Sequence, residues 1–479
     1  MNYKMYIGGE WTESFNNEYF EVINPATGEI IGQVAKGGEA ETKEAITAAH
    51  DAFKDWSSLP ASQRSDVLNK WYNLIIENKE EIGKIMTLEQ GKPVKEAIGE
   101  VLYGASFVQW YAEEAKRVYG ETIPAATSDK RILVHKQPVG VIGAITPWNF
   151  PAAMITRKIA PALAAGCTAI VKPAFKTPLT AIKLFELLEQ AGLPKGVANL
   201  VMGSANEIGT ALMNDSRVRK ITFTGSTEVG KKLIADAAKT VKNVSMELGG
   251  HAPLLVFEDA DLDKAVEGSI ASKFRNCGQV CVATNRIYVQ ESIKDKFIEK
   301  LVAKVKELKV GDGFSEDVDL GPMVNREGYQ KVDEQVQSAV AMGAKIETGG
   351  TGSHKSDHED AGYFYEPTVL SNITNNMHIM SDETFGPVVP VATFKTEEEA
   401  LRFANDTNYG LAAYLFTENL SRGIRVSEGL EYGIVGLNDG RPSIAQAPFG
   451  GFKESGIGRE GGHFGIKEFL EIKYISIGL

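Results

Sequence analysis

Cysteine is scarce in this chain: three in 479 residues, none in a C-x-x-C pair. So sparse and odd a set cannot build a disulfide framework, and it points to a reducing compartment. Long apolar runs are missing as well. No window approaches the roughly 18 consecutive apolar residues of a membrane span. The opening MNYKMYIGGEW has no charged segment leading into an apolar one, so no secretory leader is expected. Positive charge is in deficit, with 51 Lys and Arg against 63 Asp and Glu and a net charge of −12. Nucleic-acid and membrane-surface roles need basic patches and are therefore not expected. The absence of internal repeats and low-complexity stretches removes solenoid and linker-rich architectures. What remains is an ordinary globular composition, 43% hydrophobic and 24% charged, long enough for at least two cores. The expectation is a soluble cytoplasmic protein.

Periodicity divides the chain. The N-terminal part reads as short strands around turns such as NPATGE (24–29), followed by helices over 39–56, 62–78 and 79–87; in the first, Ala45, Ile46, Ala49 and Phe53 fall at helical spacing. From Val139 onward, apolar runs (VGVIGAIT, CTAIVKP, GVANLVMG, RKITFTG, KNVSMELGG) alternate with helices over 152–165, 178–191, 207–213 and 227–238. Such alternation means βαβ units and a parallel sheet, with ligands at the carboxyl ends of its strands. A second α/β region starts near Gly250, with strands APLLVF, NRIYVQ, YEPTVL and VVPVATF and helices over 264–275, 293–308 and 326–342. GGTGSHKSDHEDAG (349–362) reads as a polar surface loop, and its His354 and His358, without carboxylate or cysteine support, make no metal site. The tail LEIKYISIGL alternates and can add a strand to a neighbouring sheet.

Four segments carry possible chemistry. Cys281, in SKFRNCGQVCVATNR, sits among Arg275, Asn276, Gln279 and Asn285, a polar setting that would favour a reactive thiolate, with Gly278 allowing a ligand close to the backbone. Taken alone, a lone intracellular cysteine is more often a small buried apolar residue. GSTEVGKK (225–232) follows a strand and opens a helix. Lys232 stands where a P-loop needs a hydroxyl, so the segment reads either as a helix-terminal phosphate site or as a capped turn. Glu247, in MELGG, is placed to be a general base or simply exposed. Asn149, in TPWNFP, could donate to an oxyanion or cap the next helix.

Together, in register, TPWNFP, FTGSTEVG, MELGG, the cysteine run, ETFGP (383–387) and PFGGFKESGIGREGG (448–462) resemble the aldehyde dehydrogenase superfamily. NFPAAMITRK and KFRN are most similar to the succinate-semialdehyde dehydrogenases. The resemblance implies an α/β fold with a Rossmann-like coenzyme domain (1–119 and 139–248), an α/β catalytic domain (249–449) and a small β oligomerisation element (120–138 and 460–479), assembled as a homotetramer or dimer. It implies Cys281 as nucleophile, Asn149 and the Cys281 backbone N–H as oxyanion donors, and Glu247 as the base that hydrolyses a thioester. For the coenzyme, NAD or NADP, it implies Lys172 and Glu383 at the ribose hydroxyls, Gly225 and Ser226 at the pyrophosphate, and Trp148 and Phe385 along the channel. Phe175 replaces the Glu that NAD-preferring members often carry, which permits NADP, with Lys172 and Lys176 available to a phosphate.

No metal is implied. For the substrate, Arg157, Arg275 and Ser443 match the residues that hold a remote carboxylate in semialdehyde-oxidising members. Arg441 stands where related sequences carry Leu or Ile. The expected substrate is succinate semialdehyde, with 3-sulfolactaldehyde and glutarate semialdehyde as alternatives. A Cys277–Cys281 redox pair would need a non-helical loop, since helical residues four apart hold their Cβ atoms about 5–6 Å apart.

Overall fold

The computed structural model describes residues 2–479. Its architecture is α/β, built on two large sheets, each with its own buried apolar cluster. Five parallel strands form the heart of the first sheet: Val141–Ile145, Thr168–Lys172, Ala198–Leu200, Val218–Thr224 and Asn243–Glu247. Numbered along the chain, they lie side by side in the order three, two, one, four, five. That is the Rossmann order, whose direction reverses between the first and fourth strands and leaves a crevice at their carboxyl ends. The register sets Thr224 beside Glu247 and Ile145 beside Lys172, so four strands end together along that edge. Outer strands Met5–Ile7, Glu10–Thr12 and Gly456–Ile457 complete the sheet.

The second sheet has seven strands, parallel except for the edge strand Lys345–Thr348. It meets the crevice with the opposite ends of its strands. Gly250 precedes Ala252–Val256, Cys281 precedes Thr284–Gln290, and Glu383 precedes Val388–Phe394. The carboxyl-end rule therefore positions the first sheet's contribution, while the second contributes from its amino ends.

The helices anticipated from periodicity form, with ends shifted by up to three residues. Four were not anticipated: Glu397–Asn405, Leu420–Gly429, the short Gly462–Lys467, and Val94–Glu114, the longest helix, packed against Ala61–Glu77, Lys79–Gln90 and Ala153–Ala165. The segment 349–362 is not wholly loop. Gly352–His354 pairs with Tyr363–Tyr365, and His354 stacks on Tyr363 at 4.4 Å. The C-terminal strand Leu470–Gly478 pairs with Lys130–Pro138, which pairs with Glu121–Ile123. Ile466 and Phe469, just before that strand, return to the first core. Among the described residues no helix is long and apolar enough to cross a membrane.

Candidate active site

Cys281 lies where two cavities meet. One, about 310 Å³, occupies the crevice between the sheets, and the other, about 180 Å³, lies on the opposite side of the thiol. The side chain is half-buried and lines both. The helix before it stops at Lys273, and Asn276 and Cys277 then adopt left-handed backbone with φ near 50° and 55°. This turn separates the two cysteines: Cys277 packs its sulfur 3.9 Å from Met323 Sδ in the core. Gly278, at φ 72°, serves chain packing rather than ligand approach, since a Cβ there would collide with the Gly386 carbonyl oxygen. The anticipated electropositive activation of Cys281 is outweighed. Burial pushes its thiol up to about 12, Glu383 and Glu247 add to this, and Arg157 and Arg275 only partly oppose it. The resting group is the protonated thiol, so a base has to take its proton.

Asn149 stands in the turn after Val141–Ile145. It does not cap the following helix: the Ala152 and Ala153 N–H groups donate to Glu100 Oε1 at 2.9 and 3.2 Å. Asn149 is instead fixed from behind. Its carbonyl accepts from Lys92 Nζ at 2.8 Å and Asn276 Nδ2 at 3.0 Å, and Lys92 pairs with Glu100 in the interior. The side-chain amide donates to the Gln279 carbonyl at 3.0 Å, which uses one of its two N–H bonds.

Glu247 is buried at the end of its strand, lines neither cavity, and has no hydrogen-bond partner on Oε2. A Cβ on Gly450 would lie 2.9 Å from Glu247 Oε1, so the glycine makes room for the carboxylate. Behind it, Glu460 pairs with Lys158 and lies 2.6 Å from Arg157 Nη2. Burial and then the Glu460 charge push the Glu247 carboxyl well above the usual range. Against the upward push of burial, Lys158 and Arg157 hold Glu460 low. One carboxylate of the pair is thus ionised and the other resists ionisation.

The crevice cavity collects Trp148, Gly225, Ser226, Glu383 and Phe385. Trp148 and Phe385 meet edge to face at 5.7 Å, and Phe385 takes φ 52°, unusual for a bulky residue. Glu383 accepts from the Gly250 N–H at 3.0 Å, and burial pushes its carboxyl up to about 7. Ser226 caps the helix Thr227–Ala237, accepting from Val229 N–H, so the capped turn forms and its helix terminus also faces the crevice. A nicotinamide dinucleotide suits this wall. Asn149 Oδ1, Thr224 Oγ1 and Thr384 Oγ1 are buried without partners along it. On Gly249, a Cβ would fill the cradle 3.1 Å from Glu383 Oε2.

Lys172 and Phe175 do not reach this cavity, because they stand at and just after the end of the next strand along the sheet. Lys172, pushed down to about 8 by burial, donates to the Pro173 carbonyl at 3.0 Å. Phe175 stacks on Phe20 at 4.0 Å, and Lys176 is paired with Asp360 at 2.6 Å instead of standing free for a phosphate.

The smaller cavity collects Arg157, Arg275, Arg441 and Ser443 around Cys281. Arg157 is not a surface residue. It is 2% exposed, lies 3.9 Å over the Phe449 ring, and leaves Nε without a partner. Arg275 stands 5.2 Å over Phe150. Arg441 is exposed, with its backbone N–H donating to Asp439 at 2.7 Å. Sequence reasoning missed Lys92, Glu100, Lys158 and Glu460. Glu460 lay inside the quoted GREGG, whereas nothing distinguished Glu100 from a surface helix residue.

A thiol that lines two cavities, near enough to a buried carboxyl to feel its charge, is an arrangement suited to nucleophilic chemistry on a carbonyl carbon. The chain belongs to the aldehyde dehydrogenase family, which it matches over residues 11–475. It is 58% identical over 472 residues to the mitochondrial succinate-semialdehyde dehydrogenase of Arabidopsis thaliana, covering 98% of this chain and 88% of that one. It is 51% identical over 473 residues to a 3-sulfolactaldehyde dehydrogenase of Pseudomonas putida, covering 99% of this chain and 96% of that one. The crystal structure of succinate-semialdehyde dehydrogenase from Burkholderia pseudomallei matches with a TM-score of 0.97 at 50% identity, covering 100% of this chain and 98% of that one.

Proposed function

We propose that the enzyme oxidises an aldehyde with an anionic tail, succinate semialdehyde to succinate, using NAD or NADP, as a cytoplasmic homotetramer. The observation that carries this reading is the placement of three arginines and Ser443 around the cavity that Cys281 closes. Arginine forks bind carboxylates with two parallel hydrogen bonds, and Arg157 has an unused, buried Nε to offer. When bound in the crevice, the nicotinamide coenzyme supplies the hydride acceptor.

The chain's own groups do the rest. Cys281 passes its proton to water in the crevice and adds as thiolate to the aldehyde carbon. The remaining Asn149 N–H and the Cys281 backbone N–H hold the oxyanion. Loss of hydride leaves a thioester on Cys281. Glu247, ionised once it rotates out of its buried position, takes a proton from water; the hydroxide cleaves the thioester, and that proton returns to the departing thiolate. Aldehyde, water and oxidised coenzyme thus become acid, reduced coenzyme and a proton.

A second reading is favoured by Arg441, an added cation two residues from Ser443: a sulfonated aldehyde, 3-sulfolactaldehyde, in place of the carboxylate. Glutarate semialdehyde is a third candidate. The test is kcat/KM for the three aldehydes with both coenzymes, in the parent and in Arg441→Leu. A preference for succinate semialdehyde supports the main reading. A preference for the sulfonate that disappears in the variant supports the second. A neutral aldehyde outperforming all three contradicts both.

A further inference from the structure

A cavity of about 470 Å³ lies outside the site just described and adjoins it. It and the smaller, Cys281-lined cavity have Tyr103, Phe150, Arg275 and Arg441 in common. The partition between them therefore includes side chains, two of them long and flexible. Beyond the partition the wall sets an apolar strip, Ile270, Phe274, Leu308, Val318 and Leu320, beside charged side chains. A passage for a small polar aldehyde has no use for such a strip, whereas a methylene chain gains from it.

We propose that this outer cavity extends the substrate site, so that the enzyme also oxidises unbranched ω-oxo carboxylates longer than succinate semialdehyde, their chains crossing the partition and their carboxylates meeting Arg441. The inference rests on reading the Cys281-lined cavity as the aldehyde site. Charge selects Arg441 over Arg275. Arg275 lies over the Phe150 ring, with the Glu96 carboxylate near enough to interact with it. Arg441 is exposed, and its guanidinium enters no ion pair among the described residues. Glu96 and Asp319, further along the outer wall, repel an anion and set the limit of tail length.

The experiment is steady-state kcat/KM of the full-length enzyme on succinate, adipate and suberate semialdehydes and on hexanal as a neutral control. Gly99, on the outer wall, is the point of intervention: an added Cβ there meets nothing within 4 Å. Gly99→Trp projects an indole from this unobstructed Cβ position on the outer wall and replaces a helix glycine with a better helix former. The longer acids are expected within about tenfold of succinate semialdehyde in the parent, and reduced about tenfold or more by Gly99→Trp with succinate semialdehyde unchanged. Arg441→Leu is expected to lower the longer acids and spare hexanal. A fall of more than about a hundredfold from succinate to adipate semialdehyde in the parent overturns the inference alone. So does a Gly99→Trp effect equal on all substrates or on none. Oxidation of hexanal without any semialdehyde overturns the anionic-substrate reading beneath it as well.

Discussion

Glu247 is buried without a partner on one oxygen and beside an ionised Glu460. A carboxyl whose folded pKa is raised contributes stability below its unfolded pKa, about 4.3, and loses it as pH rises through the folded value. Glu247→Gln is therefore expected to melt above the parent at neutral and alkaline pH, the difference closing toward pH ~4. A thermal-melt series across pH reads this directly. The same variant keeps the nucleophile and loses the base, so it should release one burst of reduced coenzyme and then stall in stopped-flow absorbance. Cys281 adds a second pH effect. With its thiol pushed up by burial, the thiolate fraction of the free enzyme rises about tenfold per pH unit below the thiol's pKa. Iodoacetamide alkylation of the free enzyme should accelerate correspondingly through the neutral and mildly alkaline range, and a flat profile would contradict the assigned environment.

Among the elements, the helix Val94–Glu114 was illegible in the sequence, and it holds the site from behind. Gly99 and Gly104 weaken its helical propensity, and its buried face mixes Ala97, Val101, Ala105, Phe107 and Val108 with Glu100 and Glu114. Ala97, Val101, Ala105, Val108 and Ala112 do recur at helical spacing, but the buried glutamates and the two glycines among them blur the stripe. The strands that carry Asn149, Ser226 and Glu247 were legible, because a buried parallel sheet forces apolar runs that end in turn residues. Motif spacing brought Cys281 and its partners to notice, but no local pattern could show that Glu100 caps one helix from another. Glu100→Gln leaves Lys92 charged and unpaired in the interior. A loss of about 3–5 kcal/mol in chemical denaturation is expected, with kcat reduced as the Asn149 turn loosens.

At the scale of the whole molecule, the three-stranded sheet at the C-terminus exposes Ile472 and Tyr474, 74% and 61% accessible and two residues apart on one face. An exposed apolar strand face marks an interaction surface, and it is where the proposed homotetramer would be joined. Ile472→Asp with Tyr474→Asp is expected to lower the sedimentation-derived mass while the fold persists by circular dichroism. The two large sheets meet the same thiol from opposite ends of their strands, so neither alone makes a site. That convergence on Cys281 is the central claim. The most direct test is to mix Glu247→Gln with succinate semialdehyde and oxidised coenzyme, quench, and map the modified peptide by mass spectrometry. The predicted result is an acyl group on Cys281, absent when Cys281→Ala is added. Acylation of Cys277, or continued oxidation by the Cys281→Ala enzyme, would contradict it.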